Sequence, residues 1–149
     1  MFLLLAGTAE PAWADWQGAR WNDSIDTVMK EFKFHPRLPS PFEVGGTALV
    51  SGWTADVVFD YKNGTLIFHG AMYFNQGKLA RINLGSLGAG SCDELLKNLN
   101  DAYGRPNREG KNEYFIDAMN HNRIELLEFK SLPGCIINYY PYYENKGNL

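Results

Sequence analysis

Val57-Val58-Phe59-Asp60-Tyr61-Lys62-Asn63-Gly64-Thr65-Leu66-Ile67-Phe68 is the stretch that decides the architecture. β-Branched and aromatic residues flank Asn63-Gly64 on both sides. Asn-Gly between two apolar runs is the strongest short-range hairpin signal, because both residues tolerate the positive φ that a tight turn needs. A return strand from Leu66 to Phe74 follows. Asn75-Gln76-Gly77-Lys78 reads as a second turn and Leu79 to Leu84 as a third strand. The chain commits here to antiparallel sheet.

Upstream, Asn22-Asp23-Ser24 offers helix-capping side chains, and Ile25, Val28, Met29 and Phe32 repeat at helical spacing. A helix from Ser24 to Phe34 is expected. It ends before His35-Pro36, because a residue preceding proline avoids the α region. Pro36, Pro39 and Pro41 make residues 35–43 an irregular, stiff connector, Gly45-Gly46 a bend, and Thr47 to Trp53 a further strand. Downstream, Gly85, Gly88 and Gly90 loosen the link to a second helix. Ser91 is read as its cap, Leu95, Leu96, Leu99 and Tyr103 as its apolar face, and Gly104 and Pro106 as its stop. Three strands close the chain, Glu113–Ala118, Arg123–Phe129 and Cys135–Tyr140, with turns at Asn120-His121-Asn122 and Leu132-Pro133-Gly134.

Helix then strands occurs twice. Ser24-Ile25-Asp26-Thr27-Val28-Met29-Lys30-Glu31-Phe32 aligns with Ser91-Cys92-Asp93-Glu94-Leu95-Leu96-Lys97-Asn98-Leu99. Val57-Val58-Phe59-Asp60 aligns with Tyr114-Phe115-Ile116-Asp117. The expectation is an α+β fold of two αβββ units, residues 22–84 and 90–143, with one antiparallel sheet and two helices packed on one face. The other face would be solvated or would bind something. This element order resembles the β-lactamase inhibitory proteins, whose concave sheet grips a target enzyme. Each half is also similar to the small periplasmic domains of the outer-membrane assembly lipoproteins. The resemblance covers most of the chain as element order only, and no functional residue carries over from it.

The chain has 149 residues, enough for a single domain with a real core, and its hydrophobic and charged fractions (45% and 21%) are those of a globular protein. A net charge of −3 without a basic tract argues against nucleic-acid binding, which needs a positive stripe to displace counterions. Residues 1–14 carry an apolar run that ends at Ala12-x-Ala14, the pattern of a secretory signal peptide. No Lys or Arg precedes the run, so the reading is of a leader whose natural start lies upstream. The run is too short to span a bilayer, and no later segment is long enough. The expected compartment is periplasmic or secreted, with residues 15–149 as the domain. An oxidising compartment makes Cys92 and Cys135 a disulfide pair. Free thiols, with Cys92 activated at a helix N-terminus, are the rival reading.

No catalytic signature emerges. His35, His69 and His121 lack metal-ligand spacing, and His121 fits a turn needing unusual backbone angles. No metal or other cofactor is expected. Asp56 and Asp60 could share a strand face, with Asp117 in the matching place of the second unit, where paired carboxylates could hydrolyse or bind calcium, but the reading preferred is that they are solvated strand residues. The most unusual feature is Tyr139-Tyr140-Pro141-Tyr142-Tyr143. Tyr139 and Tyr140 point to opposite sides of a strand, so one helix layer cannot bury both. Tyr139, Tyr140, Tyr142, Tyr143 and Trp53 are therefore the candidate binding residues, since tyrosine and tryptophan anchor interfaces. The expected function is a non-enzymatic extracytoplasmic module that binds an unknown protein partner, in the manner of an inhibitor. The alternatives are a small-ligand or envelope-component binder using a pocket between helices and sheet, and a small hydrolase.

Overall fold

The Asn63-Gly64 hairpin forms, with a register that one glycine explains. β3 (Val57–Asn63) pairs antiparallel with β4 (Leu66–Asn75), and Asn63 faces Leu66, so the two loop residues are Gly64 and Thr65. An Asn63-Gly64 loop would place Phe59 opposite Phe68. The observed register places Phe59 opposite Gly70, whose missing Cβ leaves the space that the Phe59 ring fills. Gln76 and Gly77, both with positive φ, turn the chain into β5 (Lys78–Leu87). A bulge between Tyr73 and Phe74 interrupts the β4–β5 ladder, and the Asp56 carboxylate accepts the Phe74 N–H there at 3.1 Å.

The computed structural model describes residues 15–45, 54–88, 90–128 and 133–142. The expected leader at residues 1–14 and the expected strand Thr47–Trp53 lie outside them. The chain begins with a small hairpin, β1 (Asp15–Trp16) and β2 (Ala19–Arg20), followed by α1 (Ile25–Glu31). Ser24 caps α1 by accepting the Thr27 N–H at 3.1 Å. After β3, β4 and β5 come α2 (Ser91–Tyr103), β6 (Asn107–Glu109), β7 (Asn112–Asp117), β8 (Asn122–Glu128) and β9 (Gly134–Pro141). The last strand returns to the middle. One seven-stranded sheet has the order β3-β4-β5-β9-β8-β7-β6, with every neighbouring pair antiparallel. The fold is α+β and mostly antiparallel sheet.

One sheet face carries the core. Val57, Phe59, Phe68, Met72, Ile82, Leu84, Phe115, Ile124, Ile137 and Tyr139 join Val28 of α1, Phe32 at its C-terminal cap, and Leu95 and Leu99 of α2 in a single cluster. Cys92, in the first turn of α2, is bonded to Cys135 of β9, with 5.1 Å between their Cα atoms. This cross-link fixes the helix to the central strand of the sheet, and it leaves no free thiol for nucleophilic chemistry.

Four local readings change. Ser91 is the first residue of α2, not its cap. Gly90 holds the cap position with φ 84°, and Ser91 Oγ donates to the Gly88 carbonyl at 2.9 Å. The connector is more ordered than its prolines imply, with a helical segment over residues 41–45. Ser40 and Glu43 bond reciprocally at its start, Glu43 N–H to Ser40 Oγ and Ser40 N–H to Glu43 Oε1, with Pro41 at the first helical position. β6 has no apolar residue to announce it and is wholly exposed. Finally, Asp60 and Asp117 are not equivalent: Asp60 is exposed on the helix-free side, whereas Asp117 is buried on the helix side. By packing, Phe115 is the counterpart of Phe59, one position away from the alignment expected.

Candidate binding face

Strand alternation sends Val58, Asp60, His69, Ala71, Tyr73, Arg81, Asn83, Ile136, Asn138, Tyr140, Arg123, Glu125, Tyr114 and Ile116 to the face away from the helices. The connector covers the β3–β4 half of this face. Arg37 exchanges both backbone hydrogen bonds with Val58, at 3.0 and 2.9 Å. Its guanidinium grips Glu43 through two contacts of 2.7 and 2.8 Å. Glu43 Oε2 in turn lies 3.4 Å from His69 Nε2, while His69 Nδ1 lies 3.2 Å from Asp60 Oδ1. The Arg37 hydrogen bonds, helped by the Ser40 N–H, hold the Glu43 carboxyl down at about 2. Ala55, Val58, Ala71 and Tyr73 form a second, small apolar cluster on this side.

Beyond the covered half, tyrosine and arginine alternate across the strands. Tyr73 pairs with Arg81, Arg123 pairs with Tyr140, and Ile116 pairs with Arg123. The Arg81 guanidinium lies between two rings, 5.3 Å from the centre of Tyr73 and 5.4 Å from that of Tyr140. The Arg123 guanidinium lies 3.9 Å from the centre of the Tyr114 ring and reaches Glu125 at 3.3 Å and Glu109 at 3.4 Å. A second row runs parallel: Asn83 pairs with Asn138, Asn138 with Glu125, and Glu125 with Tyr114. The Asn138 side-chain oxygen accepts from Asn83 Nδ2 at 2.7 Å and from Arg81 Nη2 at 2.9 Å.

Exposure follows a gradient along these rows. Tyr73, Arg81, Asn83 and Asn138 are buried, whereas Tyr140, Arg123, Glu125, Tyr114, Ile116 and Leu127 are half-buried. Burying Arg81 takes a cation out of water, and the two ring faces and the Asn138 oxygen replace part of its hydration. Burial raises the Tyr140 phenol above its ordinary value, against the opposing pull of Arg81. Its hydroxyl bonds to Glu125. The result is a row of aromatic and cationic side chains whose rotamers are set before anything docks.

Of the five residues read from the sequence, Tyr140 lies on this face. Tyr139 does not: it is 7% exposed, packed toward the helices, and bonded to Trp16. Desolvation pushes its phenol well up. It is a core residue on the helix side and is not part of this face. Tyr142 follows β9, is half-buried, and donates its backbone N–H to the His121 carbonyl at 2.8 Å. His121 has φ 55°, as its turn position implied. Trp53 and Tyr143 lie outside the described residues. Arg81, Arg123 and Tyr114 were not singled out in the sequence. The signal that could have found them was their alternation on one side of strands already recognised.

Asp56 is committed to the bulge, and Asp117 accepts from the Asn120 backbone and side chain at 3.2 and 2.9 Å on the opposite face from Asp60. Among the described residues, no three His, Cys, Asp or Glu side chains come together in a way that could hold a metal ion, and no helix is long and apolar enough to cross a membrane. Set against protein-family models, characterised proteins and solved structures, the chain matches none of them.

Proposed function

We propose that this protein is a non-enzymatic, extracytoplasmic binding module that holds a protein partner on its open sheet face, with Tyr140, Arg123 and Tyr114 at the centre of the contact. The observation that carries this reading is the half-buried row in which Arg81 lies between Tyr73 and Tyr140 and Arg123 lies over Tyr114. Tyrosine and arginine are the residues that most often dominate binding energy. Side chains already held in place lose little conformational entropy when a partner arrives. The disulfide and the leader-like N-terminal sequence support an oxidising compartment outside the cytoplasm, periplasmic or secreted. The order of helices and strands supports a chain built of two αβββ units with a short extra strand, β6, in the second. It also supports the resemblance to inhibitors that bind through a sheet.

The test is affinity capture with the oxidised chain from envelope and secreted extracts, in parallel with Tyr140→Ala and Arg123→Ala variants. A protein retained by the parent chain and lost from both variants supports the reading. Retention that is unchanged in both variants overturns the assignment of this face, and a partner that is covalently processed overturns the non-enzymatic reading.

A further inference from the structure

A pocket opens on the other side of the sheet, beside α2. Leu84 of β5 and Ile137 of β9 form its floor, Leu95 and Leu99 of α2 one wall, and Trp16, Tyr61, Phe68 and Tyr139 the facing wall. The pocket measures about 170 Å³. Asn98 and Ala102, both exposed on α2, stand at its mouth. The aromatic wall is closely packed. Trp16 meets Tyr61 edge-on at 5.2 Å, Tyr139 at 5.6 Å and Phe59 at 5.8 Å, and Tyr61 stacks on Phe68 at 5.7 Å. Trp16 stands on a two-residue strand outside the main sheet, so closing the pocket would mean pulling the ring out of these contacts.

We infer that this pocket binds a small planar ring carrying one hydrogen-bond acceptor, a molecule of phenol size. Volume sets the size, since an apolar cavity of about 150 Å³ suffices for benzene. Flat aromatic walls select a ring over a branched aliphatic chain by stacking and edge contacts. The acceptor preference comes from Tyr139. Trp16 has only an N–H to give, so Tyr139 is the acceptor of their bond and keeps its own hydroxyl proton to donate. That donor sits in a partly enclosed pocket, where a ligand oxygen meeting it counts for more than it would at the open surface. The site lies on the opposite side of the sheet from the tyrosine–arginine row and does not depend on the reading of that row.

The experiment uses the oxidised full chain and two probes, p-cresol and toluene, with binding followed by Trp fluorescence and by ligand-observed NMR. Saturable binding of p-cresol is expected. Ala102→Phe, at an exposed helix position, fills the mouth and weakens both probes about tenfold or more. Tyr139→Phe removes the donor and weakens p-cresol roughly two- to tenfold while leaving toluene unchanged. Absence of saturable binding by the parent chain overturns the proposal, as does undiminished binding by Ala102→Phe. Equal weakening of both probes by Tyr139→Phe overturns the acceptor preference.

Discussion

The indole N–H of Trp21 donates to the side-chain oxygen of Asn122 at 3.0 Å, joining residues 101 positions apart in the sequence. Both residues are buried. The bond ties the segment ahead of α1 to the first residue of β8. Around it, the Asn22 N–H donates to the Leu79 carbonyl and the Leu79 N–H to the Asp23 carbonyl, at 3.1 and 2.8 Å. Asn122→Ala leaves the Trp21 donor buried without a partner and is expected to cost about 1–3 kcal/mol in urea unfolding. The double variant with Trp21→Phe should cost less than the sum of the two single changes. Strict additivity would mean that the bond contributes nothing.

Gly70 is the position where a single methyl group should do most harm. A Cβ there would collide with the Phe59 ring, which is itself buried and cannot swing into solvent. Gly70→Ala is expected to destabilise by roughly 1–3 kcal/mol, as overpacking does. Shrinking the neighbour should relieve it, so adding Phe59→Leu to Gly70→Ala should cost less than Phe59→Leu costs in the parent chain.

Cys92 and Cys135 are 43 positions apart, and their bond closes that loop in the unfolded chain. The loop-entropy relation gives about 4 kcal/mol for such a closure. Replacing both with serine should lower the denaturant midpoint accordingly and steepen the transition, because the unlinked unfolded chain is more expanded and exposes more surface. A thiol count on denatured, unreduced protein should be zero.

Glu43 supplies the pH dependence. Its folded value of about 2 lies below the ordinary carboxyl value of 4.5, chiefly because Arg37 bonds to the ionised form. A depressed carboxyl stabilises above its unfolded value, and the effect is lost as pH falls toward the folded value. The connector should therefore loosen between about pH 4.5 and 2. Amide exchange at Arg37 and Val58, which hold each other across the sheet edge, reports this directly. In Glu43→Gln, exchange at those two amides should be faster at neutral pH and lack the acid step.

The candidate face was only partly legible in advance. Tyr140 stood out because it sits in a cluster of tyrosines, and strand alternation required that it and Tyr139 part company. Alternation alone does not say which of the two turns inward. That is decided by register, because Tyr139 lies opposite Ile82 and Ile124, both core residues. Arg81, Arg123 and Tyr114 looked like ordinary strand residues, since the contacts that join them run across strands.

By itself the sequence determined the α+β class, both helices, and most strands and turns. These rest on local chemistry: apolar periodicity, capping side chains, and glycine or asparagine at turns. The tertiary structure alone decided three things. It placed the last strand beside β5, at the centre of the sheet, which the sequence could not dictate because pairing partners are chosen by the packing of whole faces. It set the hairpin register by fitting the Phe59 ring over Gly70. It laid the connector over the β3–β4 part of the helix-free face, through the Arg37–Val58 backbone pair and the Glu43–His69 contact, because these join residues distant in the sequence that only folding brings together.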